Sequence, residues 1–239
     1  MWNNIKLQQC ISHINCLPQL ETNDGLIQPS ITISRMTGSG GRTVASKLAD
    51  CLQSYAPSER RWTIFDRNLI QKVLEDHHLS ARLAEFLPES GTGTLTEIIS
   101  NMFKSQPSAA SIVKQSVETI WKLAEGGCVV LVGRAANVIT AGLNNVFHVR
   151  LAGTLEKRVA RVETVYDFDH PAALRYIKSE DMAKKDYLKE YFGRDIDDPL
   201  LYDLVINTDE LSYEKAARLI ADSIIRRFDL EPHREVVAA

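Results

Sequence analysis

Between a short β-branched alternation, Ser30-Ile31-Thr32-Ile33-Ser34, and a run carrying Val44, Leu48 and Leu52 at i, i+4 and i+8 stands the tract Gly38-Ser39-Gly40-Gly41. A strand, a glycine turn and a helix in immediate succession constrain this chain more than any other feature. Glycine adopts backbone angles that cost other residues energy, and its missing side chain lets a ligand oxygen approach the main chain. Such a turn directs several N–H groups at one anion, at the positive end of the helix dipole, so phosphate is the natural occupant. Thr43 is then the expected hydroxyl ligand to magnesium. A glycine-rich turn without a ligand is the alternative, which the flanking strand and helix disfavour.

The strict pattern GxxxxGK[ST] fails in two positions, with Met36 on the first glycine and Arg42 on the lysine. Read without gaps against GxxGSGKGT, residues 35–43 match at Gly38, Ser39, Gly40 and Thr43, while Gly41 replaces lysine and Arg42 replaces glycine. In either register Arg42 is the candidate inside the loop for the cation reaching the β- and γ-phosphates, and a guanidinium can do so with a bidentate fork.

The rest of the chain repeats the alternation of strand and helix. Strands are expected at 62–65, 128–132, 145–151 and 204–206; helices at 43–55, 109–125, 154–164, 172–191 and 212–228. Residues 128–132 are apolar throughout, which marks a parallel strand buried on both faces. Five strands alternating with helices predict a parallel sheet covered on both sides, with ligands beyond the strands' C-terminal ends. Residues 1–28 read as a helical extension that docks on the core or on a partner, 29–229 as one domain, and 230–239 as a fraying tail.

Composition excludes several classes. The 239 residues carry a net charge of -3, with 44% hydrophobic and 25% charged residues, which fits a globular chain and no generally basic nucleic-acid surface. No apolar run approaches the roughly 20 residues of a membrane span, and residues 1–20 lack a secretion pattern. Cys10, Cys16, Cys51 and Cys128 show no metal or disulfide spacing, so reduced thiols in the cytoplasm are expected. His77-His78 has no third ligand and is assigned no role.

With these motifs placed, residues 31–228 resemble the cytidylate-kinase-like branch of the nucleoside monophosphate kinases. The resemblance rests on four ordered blocks: Ser34-Arg35 through Gly38-Ser39-Gly40-Gly41-Arg42, Phe65 to Ile70, Val132 to Asn137, and Tyr202 to Thr208. It implies a three-layer α/β/α P-loop kinase with a five-stranded parallel sheet, an inserted acceptor-binding region over about 68–125 and a helical lid over about 156–195. The activity it implies is transfer from ATP, with Mg2+, to a nucleotide acceptor such as CMP or dCMP; oligomeric state is left open. In that branch a loop of the form GSGGR is usual, so Arg42 agrees with the closer relatives.

By the same resemblance Asp66 and Arg67 face the acceptor, Arg134 grips its phosphate with Asn137 nearby, and Asn207 and Thr208 lie near the adenine. Arg134 follows a buried strand, where it points into a cleft toward an anion or pairs with a carboxylate. Asp66 serves equally as ligand or as N-cap of the helix starting near Asn68. Arg158, Arg161, Lys184 and Lys185 are the lid cations expected to neutralise charge developing in transfer, Lys184 standing where the family pattern has arginine. A solvated helix would show the same charges. A nucleotide-binding regulatory protein, and a kinase of another small acceptor, are the alternative readings.

Overall fold

The run Val129–Val132 is apolar at every position because both of its faces are covered. Val129 and Leu131 join Phe65, Ile120, Leu123 and Ile139 on one side, while Val130 and Val132 join Ile31, Leu48, Leu151 and Ile220 on the other. Side chains of a strand alternate between faces, so one tetrapeptide feeds two cores. In the computed structural model the described residues are 8–14, 28–55, 60–66, 68, 70 and 110–231.

Within them the elements run β1 (Ser30–Arg35), α1 (Gly41–Tyr55), β2 (Thr63–Asp66), α2 (Ala110–Gly126), β3 (Val129–Val132), α3 (Ala136–Ile139), β4 (Val146–Ala152), α4 (Leu155–Tyr166), α5 (His170–Phe192), a short turn of helix (Pro199–Leu201), β5 (Leu204–Asn207) and α6 (Tyr213–Arg227). The sheet order is β2-β3-β1-β4-β5, and every pairing is parallel. Helices α1 and α6 cover one face, and α2 with the helical residues 8–14 covers the other. This is the expected three-layer α/β/α arrangement. β1 sits at its centre, where successive connections leave in opposite directions and a crevice opens beyond the strand ends.

The alternation read in β1 has a different basis from a half-exposed strand, since the polar positions are buried too. Ser30 Oγ donates to the Ala124 carbonyl at 2.7 Å, Thr32 Oγ1 meets His148 Nδ1 at 2.8 Å, and Ser34 Oγ accepts from Arg150 Nη1 at 2.8 Å. Hydrogen bonding is what permits these polar groups inside.

Cys10, His13 and Ile14 are buried against Phe65, Ile70 and α2, so residues 8–14 dock on the core. α5 begins two residues before the expected start, because Asp169 caps it by accepting from the Ala172 N–H at 2.8 Å with proline in the first turn. Thr154 precedes α4 but supplies no side-chain cap; its N–H donates to Asp209 Oδ2 at 2.7 Å. Arg67, His77-His78, Cys16, most of the expected insertion and residues 232–239 lie outside the described residues. Among the described residues no helix is long and apolar enough to cross a membrane.

Candidate active site

The loop leaves β1 at Met36, whose N–H donates to the Leu151 carbonyl at 3.0 Å, and turns through Thr37-Gly38-Ser39-Gly40 into α1. Ser39 closes the turn by donating from both N and Oγ to the Met36 carbonyl, at 3.2 and 2.8 Å. Gly38 and Gly40 have φ of 86° and 85°, in the left-handed region that disfavours other residues. Neighbours also forbid a side chain: a Cβ on Gly38 would lie 2.6 Å from the Arg158 carbonyl oxygen, and one on Gly40 would collide with the Tyr213 ring. The result is a tight backbone cradle opening at the start of a 15-residue helix, the arrangement that receives phosphate.

Thr43, in the first turn of α1, accepts from Arg161 Nη2 at 2.8 Å through its hydroxyl oxygen. That guanidinium also lies 4.2 Å above the Tyr213 ring centroid, a cation–π distance. A hydroxyl retains a second lone pair, and a hard oxygen beside a phosphate cradle is a fitting partner for magnesium.

Asp181 ties α5 to the loop. Its Oδ1 accepts from the Thr37 N–H at 2.8 Å and the Thr37 hydroxyl at 2.7 Å, and its Oδ2 from Arg158 Nη1 at 2.7 Å. Arg158, only 11% exposed, also donates to the carbonyls of Thr37 and Gly153, each at 3.0 Å. Lys184 Nζ lies 3.1 Å from Asp181 Oδ1 and meets the Thr37 hydroxyl. Burial pushes the Asp181 carboxyl up, but the hydrogen bonds from Thr37 and the nearby Lys184 outweigh it and leave the group below its usual value. Burial, then the charge of Arg35, lowers Lys184.

A cavity of about 210 Å³ lies beyond the end of β1, lined by Arg35, Arg134, Asn137, Glu180, Lys184 and Tyr187 among others. Arg134 stands at φ 57° after Gly133, two residues before α3, and shares a hydrogen bond with Tyr187. Asn137 is buried and has a side-chain nitrogen without a hydrogen-bond partner in the protein. A second cavity of about 380 Å³, lined by Arg35, Arg150, Arg158, Lys178, Asp181 and Lys185 among others, adjoins the first through Arg35 and Lys184.

Arg42 meets Asp66: its side chain is 64% exposed, with Nε 3.1 Å from Asp66 Oδ2. The other oxygen of Asp66 accepts from the Asn68 N–H at 3.0 Å, so one carboxylate makes both the cap contact and a charge contact. Arg158, Arg161 and Lys184 surround the loop, whereas Lys185 is half exposed and faces Asp197 at 3.5 Å. Asn207 accepts from the Asp209 N–H at 2.9 Å, and Thr208 donates to the Ala152 carbonyl from N and Oγ1, at 2.9 and 3.0 Å. Asn207 is the last residue of β5 and Thr208 follows it, at the C-terminal edge of the sheet where the loop also lies.

Four participants escape the sequence reading: Arg35, Asp181, Tyr187 and Tyr213. For Arg35 a signal exists, because it occupies the first glycine of the ungapped register. Asp181 and Tyr187 open and close the tract whose family pattern places Lys184, but that resemblance assigns a role to the cations alone, since interleaved charges read equally as a solvated helix. Tyr213, a lone aromatic opening a helix, carries no signal at all.

A family model described as the cytidylate kinase-like family matches residues 30–210. A cytidylate kinase of Staphylothermus marinus is 32% identical over 98 residues, covering 41% of this chain and 55% of that protein. One of Methanocaldococcus jannaschii is 29% identical over 105 residues, covering 43% and 59%. The matched stretch thus spans a little over half the length of these curated relatives. A crystal structure of an uncharacterized protein from Eubacterium ventriosum shares the fold, with a TM-score of 0.65 and 23% identity over 83% of this chain and 99% of the other.

Proposed function

The chain belongs to the cytidylate kinase-like family, and from that premise we infer that it transfers the γ-phosphoryl group of ATP to a nucleoside monophosphate, CMP or dCMP. The observation that carries this reading is the placement of a glycine-rich backbone cradle, Gly38 to Gly41, beside a cavity lined by Arg134 and Asn137. A donor and an acceptor then lie on either side of one strand end.

Backbone groups of residues 38–43 hold the donor phosphates, including those of Gly38, Ser39, Gly40, Gly41 and Arg42. Magnesium, held through Thr43 Oγ1, phosphate oxygens and water, would offset charge on those phosphates. Arg158, Arg161 and Lys184 supply positive charge around the transferred group, and Lys185 adds charge at the rim. Asn207 and Thr208 flank the donor's base. On the acceptor side Arg134 takes the monophosphate, while Asn137 offers its unpartnered amide nitrogen to an acceptor oxygen. Asp66, with Arg67 beside it in sequence, borders the acceptor, and Arg42 bridges to Asp66 from the loop. Chemistry proceeds by positioning and charge neutralisation, with no covalent intermediate.

The test is ADP release from ATP and magnesium in the presence of CMP, dCMP, UMP, AMP, GMP or dTMP, with Arg134→Met alongside. Stimulation by CMP or dCMP, with an acceptor KM raised at least about 10-fold in the variant by loss of a charge-assisted contact, is expected. Equal, unstimulated release with every nucleotide would contradict it.

A further inference from the structure

Two of the three departures from the ungapped loop pattern fall together: arginine on the first glycine, Arg35, and glycine on the lysine, Gly41. In the folded chain they touch. A Cβ added to Gly41 would stand 2.9 Å from Arg35 Cγ, 3.3 Å from Cδ and 3.4 Å from Cβ. The Arg35 stem therefore crosses the position from which a lysine side chain would leave the loop. Beyond it the guanidinium reaches the end of β3, where a Cβ on Gly133 would collide with Arg35 Nη1. Pairing of Arg35 with Leu151 of β4 fixes the start of this path within the sheet.

Arg35 lines both cavities, the one with Arg134 and Asn137 and the one with Arg158 and Asp181. Asp66 and Glu180 are close enough to act on its charge, as are Arg42 and Arg150. An arginine threaded between two glycines at the junction of two polar cavities is held in place by its stem and presents its fork to both. Arg42, the loop's other arginine, is largely exposed and bound to Asp66.

We propose that Arg35 replaces the missing loop lysine, delivering its guanidinium across Gly41 to the phosphoryl group passing between the two cavities, and that Gly41 must be glycine to leave room for this stem. The acceptor half rests on the phosphotransferase reading above. The donor half rests only on ATP binding to the loop.

The experiment compares Arg35→Met, Arg35→Lys, Arg42→Met and Gly41→Ala with the unaltered chain, measuring magnesium-ATP and adenosine affinity by calorimetry, phosphoryl transfer, and thermal unfolding as a check on folding. Expected are a loss of about 100-fold or more in kcat/KM for Arg35→Met, in the range for removing one transition-state charge partner, and of about 10-fold in ATP affinity. Adenosine affinity should stay within about 2-fold, partial activity should return in Arg35→Lys, and the loss in Arg42→Met should be at most about 10-fold. Gly41→Ala keeps Arg35 but displaces its stem, so a loss approaching that of Arg35→Met is expected even if the latter folds poorly. ATP affinity and transfer within 2-fold of the unaltered chain in Arg35→Met or Gly41→Ala, or a larger loss in Arg42→Met, would overturn the proposal. So would equal weakening of ATP and adenosine, or failure of the unaltered chain to bind ATP. Binding of ATP that responds to Arg35, without transfer to any nucleotide, would instead refute the acceptor reading alone.

Discussion

His13 is 5% exposed and meets Phe65 edge-on, with ring centroids 5.9 Å apart. Burial, then the charge of Arg60, lowers its pKa to about 4. A histidine held neutral in the folded state contributes full stability above its unfolded value near 6.5, and that contribution declines as pH falls through 6.5 toward 4. The shift corresponds to roughly 3 kcal/mol. Urea unfolding of the unaltered chain and His13→Gln between pH 7 and 4 should therefore show the two stabilities converging by about that amount on acidification. Parallel curves would show that the imidazole is not desolvated in the native state. At this scale the sequence is least explicit. Composition and spacing name Arg42 as the loop cation, because adjacency within a motif is visible in a sequence. That Arg42 reaches Asp66 while Arg35 lies across Gly41 depends on where side chains run once β1, β2 and β3 are side by side.

Helix α5 illustrates what periodicity does and does not reveal. Its existence and length follow from the sequence, and Asp169 and Gly193 mark its ends in the way capping residues do. Its orientation does not follow, since interleaved Lys184, Lys185, Asp181 and Asp186 describe an exposed surface equally well. In the structure one of these charges is a latch: Asp181 receives Thr37, Arg158 and Lys184 at once. Asp181→Asn removes the charge shared by two cations, and hydrogen bonds to charged groups contribute about 1.5–3 kcal/mol each where they are shielded from water. With Asp181 partly exposed, a total near 1–2 kcal/mol and a fall in the unfolding midpoint on the order of 5 °C are expected for a chain of this size. Because the carboxyl lies below its usual value, this contribution is present above the ordinary carboxylate range and lost only as pH falls through the lowered value. An unchanged midpoint at pH 7 would mean the latch holds nothing.

Across the whole molecule, the layer architecture was legible because buried parallel strands read as apolar runs and helices carry their own period. Val129–Val132 feeding both cores is the clearest case. Strand order was not legible: that β1 lies between β3 and β4 is a property of long crossovers, and no local pattern encodes it. Yet this order builds the site, because it brings Arg35 from β1 beside Gly133 after β3 and places α4, which follows β4, beside the loop. Recognition of four separated blocks substituted for that missing information. The most direct measurement follows the phosphate itself. ATP labelled at its γ-phosphate is incubated with magnesium, the protein and CMP or dCMP, and the products are separated. Label appearing at the β-position of CDP or dCDP, in proportion to ADP formed, is expected; label found only in inorganic phosphate or retained in ATP would contradict transfer between the loop and the Arg134 cavity.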